Sequence, residues 1–175
     1  LSFFTKLAIF RCVLSAYFVN FVVKKNMITK LQILNYYKQL VQDRIDVFQD
    51  MISGLTNDAQ NDAKGSAGDK HETALSMMHL EQEKLNHKLR EVLDQKNILD
   101  RIDVSVIHQK VALGSLVQTN GMLLFISTAL PKITINNKTV FALSPQSPLG
   151  SQLMGNSIGF SAEVNGKQYK IESLE

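Results

Sequence analysis

The sequence predicts an α+β fold in which an antiparallel coiled-coil hairpin of two long helices precedes a small antiparallel β-sheet with one helix. Two observations support this prediction. In two stretches, residues 31–63 and 75–99, apolar residues recur mostly every three or four positions, as in a helical seam. From Val104 onward, short β-like runs separated by Asn-containing turns replace that repeat. We therefore divide the chain into residues 1–26, 27–103 and 104–175.

The composition fits one or two small folded domains and excludes several classes of site. With 175 residues, the chain is long enough to bury a core without disulfides. Cys12 is the single cysteine, which excludes a disulfide framework and a multi-cysteine zinc site. The sequence contains no glycine-rich phosphate loop and no nucleophile elbow.

The basic character of the chain is concentrated at its start. The formal net charge is +3 and the pI is near 9.0, which by itself would suggest a nucleic-acid or membrane partner. However, residues 1–26 carry four basic side chains and no acidic one, so the rest of the chain has a net charge of −1. The surplus of bases is therefore a poor guide to the partner.

Residues 1–26 contain an apolar run from Leu7 to Val23 that Arg11 and Asn20 interrupt. Its length is at the lower limit for crossing a bilayer, and a central Arg costs about 2.5–3.5 kcal/mol on insertion scales. No small-residue cleavage site follows it. We interpret residues 1–26 as upstream sequence preceding a start at Met27, with a membrane anchor as the alternative.

The two predicted helices each carry one apolar seam. The first seam comprises Leu31, Leu34, Tyr37, Val41, Ile45, Phe48, Ile52, Leu55, Ala59 and Ala63, and the second comprises Leu75, Met78, Gln82, Leu85, Leu89, Val92 and Leu99. Polar residues fill the other faces, so each helix needs a partner, and the nearest partner is the other helix. Helices of about 30 residues would form a rod of roughly 45–50 Å.

The tip of this rod is predicted at residues 65–72. Gly65 and Gly68 break the helical pattern, and Asp69 and Glu72 then lie three residues apart at the start of the second helix. One interpretation is a capping box, in which Asp69 caps the helix and Glu72 reaches back to the cap amide. The other is a pair of carboxylates that helps to hold Mg²⁺, with the remaining ligands supplied by a partner.

The segment 104–175 carries three hairpin signals and one helix signal. The predicted turns are Asn120-Gly121, Asn136-Asn137 and Asn165-Gly166, each between apolar β-like runs. Ser147 is a predicted N-cap, Pro148 suits the first helical position and Gly155 follows the end of that helix. These signals predict a small antiparallel sheet with one helix laid on it.

Motifs in both halves of the chain resemble the Gre transcript-cleavage factor family. The tip reads Gly68-Asp69-Lys70-His71-Glu72-Thr73-Ala74, close to the family's Gly-Asp-x-x-Glu-Asn-Ala. The segment 104–175 contains Gly114-Ser115 before a strand and the closing pattern of the family, with Leu153, Gly159 and Tyr169-Lys170-Ile171. Its polymerase-docking signature comprises Ser144, Pro145, Ser147, Pro148, Leu149, Gly150 and Gly155.

The resemblance implies an FKBP-like C-terminal domain that docks on bacterial RNA polymerase, and a coiled coil that enters its secondary channel. Asp69 and Glu72 would then share a Mg²⁺ with the polymerase active site and stimulate cleavage of backtracked RNA. The resemblance implies an accessory factor rather than an enzyme, with no cofactor of its own. It also implies indirect contact with nascent RNA, no small-molecule substrate, no membrane partner and a cytoplasmic location.

One departure from the family pattern, together with residues 1–26, keeps two other functions open. Thr73-Ala74-Leu75-Ser76 stands where the family has Asn-Ala-Glu-Tyr, so the chain could bind the channel as a modulator or inhibitor without cleavage activity. A coiled-coil scaffold protein, tethered to a membrane through residues 1–26, is a further alternative. His79, Glu83 and His87 have zinc-compatible spacing, but we interpret them as a solvated helix flank.

Overall fold

The computed structural model describes residues 29–62 and 69–175, without the side chains of 59–62, 69–72 and 74. It shows an α+β fold, with long helices followed by a mixed six-stranded sheet. The helices are α1 (Lys30–Asp62), α2 (Asp69–Asp100) and α3 (Pro148–Leu153). The strands are β1 (Leu116–Thr119), β2 (Met122–Ile126), β3 (Ile133–Ile135), β4 (Lys138–Leu143), β5 (Ser161–Val164) and β6 (Lys167–Leu174). The interpretations of residues 1–26 and of the glycines at the tip lie outside the described residues.

Helices α1 and α2 lie side by side in antiparallel directions. Near the start of α1, Lys38 Nζ lies 2.9 Å from Asp100 Oδ1, at the end of α2. Further along α1, the Gln82 side-chain amide donates to Thr56 Oγ1 at 3.0 Å. Residue numbers therefore rise along one helix as they fall along the other.

Among the seam residues whose side chains the structure describes, all except Leu31 are buried or half-buried. Tyr37, Val41 and Val92 are almost fully buried, as a shared apolar seam requires. Leu31, however, is 52% exposed, whereas Ile33 is fully buried. The prediction for Leu31 is wrong because the first turn of α1 packs against the sheet as well as against α2, which turns Ile33 inward instead.

The end of the helix pair that contains Lys30 and Asp100 packs directly on one face of the sheet. A single core cluster joins Ile33 and Leu99 of the helices to Leu116 and Phe125 of the strands. The ring of Tyr37 stacks on that of Phe125, with centroids 6.2 Å apart and planes 8° apart. Burial raises the pKa of the Tyr37 hydroxyl to about 12.

The sheet has the strand order β3-β4-β2-β1-β6-β5. Strands β2 and β4 pair in parallel, whereas the other neighbouring strands are antiparallel. The prediction of a wholly antiparallel sheet is therefore wrong at its centre. After β3, the chain turns at Asn136-Asn137 and inserts β4 between β3 and β2, so that β4 runs in the direction of β2. Hairpin signals in the sequence specify each turn but not this insertion.

The three predicted turns are present, and the Asn residues explain them. Asn120, Asn136, Asn137 and Asn165 all have positive φ, between 46° and 61°. Asn tolerates this left-handed conformation better than most residues, because its short polar side chain can hydrogen-bond locally. The hairpins are therefore encoded by the turn residues themselves.

The apolar run from Leu113 to Thr119 predicts a strand, but β1 begins later than this run does. The run starts at Leu113, but Gly114 has a φ of +87°, which extended backbone does not adopt. A Cβ at Gly114 would lie 2.8 Å from Ile102 Cγ2, so the backbone at Gly114 passes close to Ile102, two residues after the end of α2. Gly114 is therefore required both by its positive φ and by the lack of space for a Cβ. The strand itself starts at Leu116.

Candidate functional site

The two candidate metal-binding residues lie in the first turn of α2. The structure begins this helix at Asp69, so Glu72 follows one turn later on the same face. Backbone amides and the helix dipole favour carboxylates at this position. The side chains of both residues lie outside those described, so capping and metal binding are both open for them.

This helix start lies far from the sheet. The core cluster that includes sheet residues reaches no further along α2 than Leu89. The 20 residues between Leu89 and Asp69 span roughly 30 Å of helix at 1.5 Å per residue. Over this distance, Ile52, Leu55 and Met78 are half-buried in the predicted seams. The backbone of Asp69 and Glu72 therefore lies at the end of the helix pair that is remote from the sheet.

The predicted docking signature forms a tight turn that starts α3. Ser147 Oγ accepts from the Gly150 amide at 3.0 Å and donates to the Ser144 carbonyl oxygen at 2.7 Å. The Ser147 amide donates to the same carbonyl at 3.0 Å. Ser147 is thus an N-cap, as predicted, with Pro148 in the first helical turn. Gly150 is fully enclosed, because a Cβ there would lie 2.0 Å from the Ser144 carbonyl oxygen.

The rest of the signature fixes α3 to the sheet face opposite the helix pair. Leu149 is half-buried against a second core cluster that includes Leu153 and Val117. Gly155 has a φ of +76°, and its amide donates to the Val111 carbonyl oxygen at 2.8 Å. These residues therefore have clear structural roles. Among the signature residues, Pro148 is exposed and could contact a partner, whereas Pro145 is half-buried.

The structure thus brings the docking signature together but keeps it apart from Asp69 and Glu72. The signature lies around α3, on one side of the sheet, and the helix pair packs on the other. Any function that uses both sites needs a partner large enough to contact both.

The three residues with zinc-compatible spacing lie along the solvent-facing side of α2. His79, Glu83 and His87 are all exposed, and His87 Nδ1 lies 3.4 Å from Glu91 Oε1. Across residues 29–62 and 69–175, apart from the side chains named above, no three His, Cys, Asp or Glu side chains are grouped as metal ligands. The solvated-flank interpretation fits this exposure.

Sequence reasoning missed a cluster of charged and polar groups where α1 meets the segment after α2. Lys30 is only 8% exposed, and its Nζ donates to the Val106 carbonyl oxygen at 2.7 Å. Burial lowers the pKa of Lys30, although the carboxylates of Glu175 and Asp103 oppose that shift. A Lys at the start of an amphipathic helix normally suggests a solvated residue, so the sequence carries no signal for this burial.

His108 completes this cluster. Its Nδ1 is buried and has no hydrogen-bond partner among the described residues. Burial and the nearby Lys30 lower the pKa of His108. The neutral imidazole is therefore the form that the fold favours.

Helices in the described ranges lack the combination of length and apolar character that a bilayer span requires. No family model matches this chain, and no curated protein matches it either. The resemblance to Gre factors therefore depends on the motifs at residues 68–74, 114–115 and 144–171.

Proposed function

We propose that this chain is a secondary-channel factor of bacterial RNA polymerase that stimulates cleavage of backtracked RNA. The observation that carries the proposal is the antiparallel helix pair, packed on a sheet at one end and carrying Asp69 and Glu72 in the first helical turn at the other. A coiled-coil hairpin on an FKBP-like body is the finer description of the fold that this proposal requires.

The chemistry of the tip suits an accessory role. Asp69 and Glu72 provide hard oxygen ligands, which Mg²⁺ prefers, but two carboxylates by themselves hold the ion weakly. In a polymerase active site, further ligands come from the enzyme and from phosphate oxygens. The carboxylates of this chain would then help to position the ion and a water molecule, while the bond cleavage itself belongs to the polymerase.

The body of the protein would provide the docking. The turn around α3 is rigid, because the Ser144 carbonyl, the Ser147 hydroxyl and the Gly150 amide are joined by hydrogen bonds. A rigid surface loses little conformational entropy on binding. We therefore assign the docking contact to the surface around Pro148 and the tip contact to α2.

The first experiment is a pull-down of purified core RNA polymerase by the full chain. We expect stoichiometric binding, because both the body and the helix pair would contact the enzyme. If no binding occurs, the proposal is refuted and the scaffold alternative is favoured.

The second experiment measures RNA cleavage in a stalled, backtracked complex. We expect wild type to accelerate cleavage, and Asp69→Asn and Glu72→Gln each to reduce the acceleration at least tenfold. Asn caps a helix as well as Asp does, so Asp69→Asn removes the charge and keeps the cap. Asp94→Asn, which changes an exposed acid elsewhere on α2, is the matched control and should retain full activity.

The outcomes separate the alternatives. If wild type binds but does not accelerate cleavage, the chain is a channel-binding modulator or inhibitor, the function that the departure at Thr73-Ala74-Leu75-Ser76 favours. If wild type is active and both tip variants match it, the carboxylate mechanism is wrong.

A further inference from the structure

The two Asn-Gly turns of the sheet have the same backbone geometry and similar local sequences. Asn120 and Asn165 have φ values of 46° and 54°, and the glycines that follow them have φ values of 76° and 73°. A β-branched residue, Thr119 or Val164, precedes each Asn. Both turns are exposed, and a Cβ at either glycine would meet nothing within 4 Å. Any difference in reactivity between the two Asn residues must therefore come from the contacts of their side chains.

The side chain of Asn120 is anchored to β6, the strand that lies beside β1. Asn120 Nδ2 donates to the Gln168 carbonyl oxygen, and Asn120 Oδ1 accepts from the Lys170 amide at 3.4 Å. The Asn165 side chain, in contrast, has no hydrogen-bond partner among the described residues. The two turns therefore differ in the freedom of the Asn side chain.

An Asn that precedes Gly can lose its side-chain amide without an enzyme. The backbone nitrogen of Gly attacks Asn Cγ, a C–N bond forms, and the Cγ–Nδ2 bond breaks; the proton of the Gly amide reaches the leaving group through solvent, and ammonia departs. Water then opens the succinimide ring to give aspartate or isoaspartate. Gly favours this reaction because no Cβ hinders its backbone nitrogen and because its backbone is conformationally free. The Asn side chain must also be free to turn toward that nitrogen.

We propose that Asn165 is a site of spontaneous deamidation in the folded protein, and that the fold protects Asn120 from the same reaction. Attack by Gly166 on Asn165 requires a local opening of the hairpin between β5 and β6, and β5 is the outermost strand of the sheet. Attack by Gly121 on Asn120 requires both contacts with β6 to break first. This inference is independent of the proposed function, because it depends only on the chemistry of the turns.

The third turn separates the need for a following Gly from the need for a free side chain. Asn136 and Asn137 are exposed, have positive φ and, like Asn165, have no side-chain hydrogen-bond partner among the described residues. Asn137 and Lys138 follow them, however, and the side chains of these residues hinder attack by the backbone nitrogen. We therefore expect Asn136 and Asn137 to react slowly in the folded and in the unfolded chain.

The test is peptide mapping by mass spectrometry after incubation of the full chain at mildly alkaline pH, which promotes loss of the Gly amide proton. In the folded protein, we expect Asn165 to be converted at least tenfold faster than Asn120, since two hydrogen bonds hold Asn120 in place. In concentrated guanidinium chloride, Asn120 and Asn165 should react at similar rates, because the contacts with β6 are lost. Asn165→Gln should abolish rapid conversion at this position, since a longer side chain closes a ring much more slowly, and should leave Asn120 protected.

Three results would overturn the proposal. In the folded protein, Asn120 reacts as fast as Asn165, or Asn165 reacts as slowly as Asn136 and Asn137. Alternatively, the difference between Asn120 and Asn165 persists in guanidinium chloride, so that the fold is not its cause. Circular dichroism after incubation shows that the first sample stays folded and that the second is unfolded, so the two rates are assigned to the correct states.

Discussion

The substitution Gly150→Ala tests the structure of the turn that starts α3. Helix propensity alone predicts that Ala makes the protein more stable, whereas the contacts of Gly150 predict that it makes the protein less stable. A Cβ at this position would lie 2.0 Å from the Ser144 carbonyl oxygen and 2.8 Å from Ser147 Oγ. An ordinary carbon–oxygen contact exceeds 3 Å, so the Ser144 carbonyl must move by more than about 1 Å. That carbonyl accepts hydrogen bonds from both the amide and the hydroxyl of Ser147.

The magnitude follows from these contacts. Two weakened hydrogen bonds cost about 1 kcal/mol each, and forcing an extra methyl group into a packed site costs about 1–3 kcal/mol. The higher helix propensity of Ala offsets about 1 kcal/mol of this destabilisation. We therefore expect Gly150→Ala to lower the free energy of unfolding by about 2–4 kcal/mol. For a chain of this size, that corresponds to a fall in Tm of about 4–16 °C.

Gly54→Ala is the matched control, because Gly54 lies within α1 and a Cβ there meets nothing within 4 Å. We expect this variant to raise the free energy of unfolding by about 0.5–1 kcal/mol, through the lower conformational entropy of the unfolded chain. Thermal and urea unfolding, followed by far-ultraviolet circular dichroism, measures both variants. If Gly150→Ala is as stable as wild type or more stable while Gly54→Ala is stabilised, the structural account of the α3 turn is wrong.

Two further predictions concern pH. The folded state raises the pKa of Tyr37 from 10.0 to about 12, so it favours the neutral phenol. The free energy of unfolding should therefore fall as the pH rises through this range. In Tyr37→Phe, the contribution of Tyr37 to this fall should be absent. The folded state lowers the pKa of His108 from 6.5, so the fold favours the neutral imidazole; stability should fall as the pH decreases below 6.5. In His108→Gln, the fall in stability below pH 6.5 should be smaller. His79→Gln, which removes an exposed histidine, is the control. Urea unfolding at a series of pH values measures both effects, and unchanged pH profiles in Tyr37→Phe and His108→Gln would contradict them.

Features of the fold that depend on neighbouring residues were predictable from the sequence. The Asn residues of the three turns adopt positive φ because of their own side chains, and Ser147 caps α3 through a bond to an amide three residues away. The seams of α1 and α2 follow from the spacing of apolar residues. For the candidate site, the sequence located Asp69 and Glu72 in the first turn of a helix, which the structure confirms for their backbone.

Features that depend on contacts between distant residues were decided only by the tertiary structure. The parallel pairing of β2 with β4 requires a strand to insert between two others, and no residue within β4 signals that position. Ile33 is buried and Leu31 exposed because the sheet covers one side of the first turn of α1. Lys30 is buried where α1 meets the segment after α2, and its Nζ donates to the Val106 carbonyl oxygen.

Exposure on the outer side of α1 shows the same division between sequence and structure. The spacing of Tyr36, Val47 and Met51 is visible in the sequence, but only the structure shows that each of them is about half exposed. The sequence by itself determined the elements and the acidic helix start, since local spacing and turn chemistry specify them. The tertiary structure decided how the strands are ordered and which side chains are accessible, because burial is a property of the assembled elements.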